Sequence, residues 1–87
     1  MYMVIVKRKI ERDLKCLPMN VQEAFLRLHR DLKMNGPIQP YWPNFKRLAN
    51  SNYHCHLNFH YVACWHCENK SIIIEVYYVG SREGAPY

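Results

Sequence analysis

The sequence predicts an α+β domain: a strand, a two-helix hairpin, then a three-stranded antiparallel sheet, in the order β-α-α-β-β-β. Three observations carry this prediction. Tyr2 to Val6 and Ile72 to Val79 are rich in β-branched and aromatic residues. Between Ile10 and Leu32 the apolar positions recur at helical spacing. From Tyr53 to Leu57 they switch to strict alternation. At 87 residues there is material for one hydrophobic core, so residues 1–87 are read as a single domain with a thin core.

Tyr2 to Val6 forms the first strand and runs into Lys7-Arg8-Lys9. Ile10, Leu14 and Leu17 make one apolar stripe with charged residues between them, and Pro18 ends that short helix. Asn20 reads as the N-cap of a second helix with Glu23 at N3, and Val21, Phe25, Leu28 and Leu32 mark its buried face. Asn35-Gly36-Pro37 supplies a left-handed cap and a residue that cannot continue the helix. Ile38 to Asn52, with Pro40 and Pro43, reads as loop. Tyr53, Cys55 and Leu57 then alternate with His54 and His56, which sends both imidazoles to the face opposite the core. Asn58 marks a tight turn, His60 to Cys67 a strand, and Glu68 to Ser71 another turn. Ile72 to Val79 reads as a last strand buried on both faces and ended by Gly80.

Composition excludes several classes. A chain 49% hydrophobic and 22% charged is not disordered. Its longest uncharged run, Leu48 to Cys67, contains three asparagines and four histidines and cannot span a bilayer. MYMVIVKRK places charge after the apolar stretch, the reverse of a secretory signal, so a cytoplasmic protein with no membrane partner is expected. Residues 1–50 carry ten Lys/Arg against four Asp/Glu, net +6, whereas residues 51–87 carry two against three, net −1, but four of the five histidines. Permanent cations in one half and groups that titrate near neutrality in the other suit a polyanionic ligand, nucleic acid foremost.

The histidines are the strongest chemical signal. His54 and His56 share a strand face, and a hairpin could bring His60 alongside them, giving imidazoles that bind phosphate or move protons at neutral pH. The plainer alternative is a solvated strand face. Cys64 and Cys67 form a C-x2-C pair, but in an extended strand they point to opposite faces and no glycine knuckle lies between them. Two buried thiols, with no metal, are therefore expected, and Cys16 and Cys55 also read as packing residues. Lys7, Arg8 and Lys9 are basic enough to contact phosphates. Tyr41, Trp42 and Phe45 could stack on bases, although aromatics among prolines more often cover a core.

Four segments carry a resemblance to the RelE/ParE superfamily of bacterial type II toxins. Asp13-Leu14-Lys15-Cys16-Leu17-Pro18 looks like its "dLkkLP", and Lys46-Arg47-Leu48 like its "kkL". Tyr53-His54-Cys55-His56-Leu57 is similar to "YRIRV" or "YKIKL", and Val79-Gly80-Ser81-Arg82-Glu83 to "vGkRe". The resemblance spans nearly the whole chain. It implies a toxin held by a cognate antitoxin and acting on mRNA at the ribosome, as a metal-independent endoribonuclease with no small-molecule cofactor. Attack of a 2′-hydroxyl on the adjacent phosphate would leave a cyclic phosphate and a free 5′-hydroxyl.

The family's basic strand positions fall on His54, His56 and His60. Its late arginine falls on Arg82 and its C-terminal tyrosine on Tyr87, while Lys46 and Arg47 would hold the RNA backbone. Three Lys/Arg have thus become His, which adds proton transfer to charge stabilisation. Tyr87 is the last residue of the sequence, so an α-carboxylate is expected near the site. A gyrase-binding toxin of the ParE kind, which needs no acid/base pair, is the alternative the same resemblance allows.

Overall fold

The helical repeat resolves into α1 (Arg8–Lys15) and α2 (Met19–Asn35) in a computed structural model that describes residues Met1 to Tyr87. Pro18, extended at φ −55° and ψ 149°, separates them. Its carbonyl accepts hydrogen bonds from the amides of Val21 and Gln22 at 3.0 and 3.1 Å, so Pro18 starts the ladder and Asn20 lies inside the helix instead of capping it. Gln22 reaches back with its Nε2 to the Leu17 carbonyl at 2.9 Å and closes the inter-helix turn. Val21, Ala24, Phe25, Leu28 and Leu32 form the buried stripe of α2. At its end Gly36 donates to the Leu32 carbonyl at φ +94°, and the Tyr2 ring stands 2.7 Å from where a Cβ would be. Only glycine meets both demands.

The strands are β1 (Met3–Val6), β2 (Lys46–Arg47), β3 (Asn52–His56), β4 (Tyr61–His66) and β5 (Ile73–Ser81). They form one five-stranded sheet in the order β1-β5-β4-β3-β2, in place of the expected three-stranded antiparallel sheet. β1 is joined to the rest through two helices and returns parallel to β5, which occupies an interior position. β2 lies within the segment read as loop; its two residues pair antiparallel with Tyr53 and His54 after a turn whose Asn50 and Ser51 adopt φ 59° and 62°. No β-branched residue announces it, and it exists because β3 would otherwise present a bare edge.

β5 also departs from the reading. Ile72 and Ile73 are exposed, because the helices cover one face of the sheet only, and the strand runs through Gly80 to Ser81. Register slips between Cys64 and Trp65, which pair with Tyr78 and Val76 and leave Tyr77 as the extra residue. That bulge lets Ile74, Val76 and Val79 all face the core despite their uneven spacing.

The core is a 15-residue cluster between the helices and the inner sheet face, with Leu28 and Leu32 against Cys55, Trp65, Ile74 and Val76. Trp42 and Phe45 pack on its margin: Phe45 stacks on Tyr53 and Trp65, and Trp42 donates to the Asp31 carboxylate at 2.8 Å. Cys67 belongs to the cluster whereas Cys64, three residues earlier, is buried outside it on the other face. Cys16, read as a packing residue, is exposed, because the turn at Pro18 begins there and lifts it off the core. No helix is long and apolar enough to cross a membrane.

Candidate active site

The side chains on the helix-free face of the sheet come from three adjacent strands. Because Tyr53 and Cys55 enter the core, the pleat turns His54 and His56 outward, with ring centroids 6.0 Å apart. Register places Lys46 of β2 on one side of His54 and Cys64 of β4 on the other. His54 is nonetheless 95% shielded from solvent, since its exposure is 5%, and its Nδ1 has no hydrogen-bond partner. The shield is Tyr87, stacked on the imidazole at 4.4 Å and 18°.

Residues after β5 fold back to bring that ring there. The Tyr78 hydroxyl donates to the Ser81 carbonyl at 2.7 Å, over Gly80, where a Cβ would meet it at 2.8 Å. The amides of Gly84 and Ala85 donate to the carbonyls of Ser81 and Arg82. Arg82 is pinned to the β3–β4 hairpin by its own amide, which donates to the His60 carbonyl at 2.7 Å. His56 is tied to the segment before β2 in the same way, its amide donating to the Pro43 carbonyl at 2.8 Å. The result is a cavity of about 400 Å3 lined by Pro43, Asn44, His56, Asn58, Phe59 and Arg82.

Burial holds the His54 imidazole below its ordinary pKa, with the neighbouring His56 and Lys46 charges acting the same way. His56 is lowered by burial first, then by Arg82 and Lys46. Both rings are thus biased toward the neutral form, able to accept a proton at neutral pH, beside two cations able to stabilise an anion. Burial also raises the Tyr87 phenol and keeps it protonated, with Arg82 opposing. Cys64 is pushed up to about 12 by burial, although a hydrogen bond with Tyr77 works against this, and Cys55 is raised further. Neither thiol is available as a nucleophile.

His54, His56, Lys46, Arg82 and Tyr87 therefore meet on one surface, but other expected site residues do not. His60 stays at the hairpin tip, exposed, its ring nearest Phe59. Because β4 starts one residue later, at Tyr61, it is Val62 and Cys64 that stand opposite His56 and His54. Arg47 points to the helix side, its guanidinium 5.6 Å from the centre of the Tyr53 ring, as the pleat requires of the residue next to Lys46. Lys7, Arg8 and Lys9 start at the first turn of α1, where Lys7 pairs with Glu75 at 3.5 Å and Lys9 with Asp13 at 3.0 Å; none of the three lines the cavity. No group of three or more His, Cys, Asp or Glu side chains converges on a metal-ligand arrangement. Pro43, Asn44 and Phe59 were not singled out as site residues from the sequence. An aromatic inside a tight turn is the one signal that marks Phe59.

The sequence matches no family model and no curated protein. Solved structures do match it over nearly their full length. The RelE of the archaeal RelE-RelB complex from Pyrococcus horikoshii OT3 aligns with TM-score 0.74 at 17% identity, covering 97% of this chain and 98% of that one. The isolated E. coli RelE toxin aligns at 0.73 and 15%, covering 99% and 89%. The YoeB-YefM complex from Staphylococcus aureus aligns at 0.68 and 10%, covering 92% and 95%. At such identities the shared property is the fold, which is that of these RelE and YoeB structures.

Proposed function

We propose that this chain is the toxin of a type II toxin–antitoxin pair and that it cleaves mRNA at the ribosome. The observation that carries the reading is the pair of neutral-leaning imidazoles, His54 and His56, set between Lys46 and Arg82 on the only sheet face that no helix covers. His56, which lines the cavity with Arg82, is the base that takes the proton from the 2′-hydroxyl as its oxygen bonds to phosphorus. Arg82 and Lys46 stabilise the charge that grows on the phosphorane, where a preorganised cation contributes most. The P–O5′ bond breaks and the 5′-oxygen takes its proton from the His54 imidazolium, with Tyr87 holding that ring by stacking. A 2′-hydroxyl nucleophile requires no metal-bound water.

Both roles fix the pH dependence. The active form has His56 neutral and His54 protonated, and both pKa values lie below the ordinary imidazole value of about 6.5. A bell-shaped profile with its maximum on the acid side of 6.5 is therefore expected. Single-turnover rates on translating ribosomes across pH measure it, and a profile flat through that range removes the histidines from the chemistry.

A basic face with a half-open cleft suits an acidic polypeptide that covers it, and the P. horikoshii RelE and S. aureus YoeB neighbours are each seen in complex with a second protein. A cognate antitoxin is the partner this supports. The deciding experiment is incubation of purified protein with translating ribosomes. Products ending in cyclic phosphate and 5′-hydroxyl, formed equally with a zinc-selective chelator that leaves the ribosomal magnesium in place, are expected. Intact mRNA together with binding to gyrase points to the ParE kind of toxin instead.

A further inference from the structure

We infer that the cavity beside His56 is a nucleobase subsite in which the base next to the scissile phosphate stacks on Phe59. The inference deepens the ribonuclease reading and rests on it for the position of the phosphate. Phe59 is 83% exposed, and unlike the other exposed apolar side chains of the fold it lines the cavity beside His56 and Arg82. Its exposure does not come from a loose loop. Asn58 Oδ1 accepts hydrogen bonds from the amides of His60 and Tyr61 at 2.9 and 3.0 Å, and the His60 carbonyl accepts from Arg82. The ring is thus presented to solvent by a hairpin tip fastened at both ends.

Around it the lining has the chemistry of base recognition. Pro43 supplies a second apolar wall, fixed by its carbonyl's bond to His56, and Asn44 and Asn58 supply carboxamides. With Oδ1 already engaged in the turn, Asn58 is left with its amino group as a donor; Asn44 offers donor and acceptor together. No carboxylate lines the space, while Arg82 and His56 do, so an anion attached to the base meets a cation and the proposed base in the same cavity. A planar aromatic ligand with hydrogen-bonding edges and an attached phosphate matches all of these features, and single-stranded RNA presents it in every nucleotide.

The test uses the purified chain and an oligoribonucleotide made uncleavable by 2′-O-methylation, with one base replaced by 2-aminopurine. Binding should quench the fluorophore when it occupies the position next to the site. Phe59→Leu, an exposed substitution, should abolish that quenching and weaken binding about tenfold, in line with the contribution of one base–aromatic stack. Phe59→Trp should retain both. Quenching that survives in Phe59→Leu, or that occurs at no position, overturns the subsite. Ribosome-dependent cleavage separates the two claims. Quenching that depends on Phe59 without any cleavage sustains the subsite and removes the nuclease; cleavage with unchanged nucleotide preference in Phe59→Leu sustains the nuclease and removes the subsite.

Discussion

The imidazole of His54 is buried, and the Tyr87 ring stacks over it. Tyr87→Ala should expose it and let its pKa rise toward the ordinary value, while Tyr87→Phe, which keeps the stack at 4.4 Å, should leave the pKa low. NMR titration of the histidine ring resonances distinguishes the two, and equal titration curves in both variants would show that the stack does not govern His54. Arg82 acts through a different link. Its backbone amide fastens the hairpin and its side chain is exposed, so Arg82→Ala should stay folded while losing about 2–4 kcal/mol of transition-state stabilisation, seen in the single-turnover rate more than in RNA affinity. Circular dichroism alongside the rate measurement separates loss of chemistry from loss of fold.

Each element is held in place at its ends as much as along its length. The α2 terminus and the start of β1 share one contact: the Tyr2 amide donates to the Lys33 carbonyl at 2.8 Å while the Tyr2 ring fills the space above Gly36. Gly36→Ala should cost about 2–3 kcal/mol, from a left-handed backbone that alanine resists and from displacement of the tyrosine. The midpoint of urea unfolding reads this, and a shift no larger than that of an exposed helix substitution would mean that the ring moves freely. The bulge at Tyr77 performs a different task, since it keeps three aliphatic residues of β5 in the core while Tyr78 and Gly80 remain on the helix-free face. Without that extra residue the turn bearing Arg82 would leave the sheet on the wrong side.

For the whole molecule the site opposes the fold. His54 and His56 titrate lower in the folded chain than the value of about 6.5 expected when unfolded. Above that value both states hold them neutral and their contribution to stability is complete. As pH falls below it the unfolded chain binds protons first, so stability declines until the folded-state pKa values are passed, where the decline levels off. Melting temperatures measured from pH 7.5 to 5 should fall accordingly, and less in His54→Gln; an unchanged slope in that variant rules out His54 as the cause. A partner covering the open face should raise the melting temperature by mass action, the more so because the core is thin.

Much of this was legible in residues 1–87 because it depends on local patterns. The stripe Val21, Phe25, Leu28, Leu32 determines α2, the alternation from Tyr53 to Leu57 determines which way the histidines point, and Asn58 determines its turn. Cys64 and Cys67 were separable by pleat alone. Family-like segments added Arg82 and Tyr87, which no periodicity marks. What only tertiary structure decided involves pairing between distant segments. β2 is a strand because β3 offers an edge, and its register sends Lys46 to the site and Arg47 away from it. His60 remains apart because the hairpin turns one residue later than its spacing suggested, and a shift of one residue changes the cross-strand neighbours of every side chain. The stacking of Tyr87 on His54, the cavity at Phe59 and the direction of both imidazole shifts arise where the tail, the β3–β4 hairpin and the segment before β2 meet over the sheet, long-range contacts written in no local stretch of the chain.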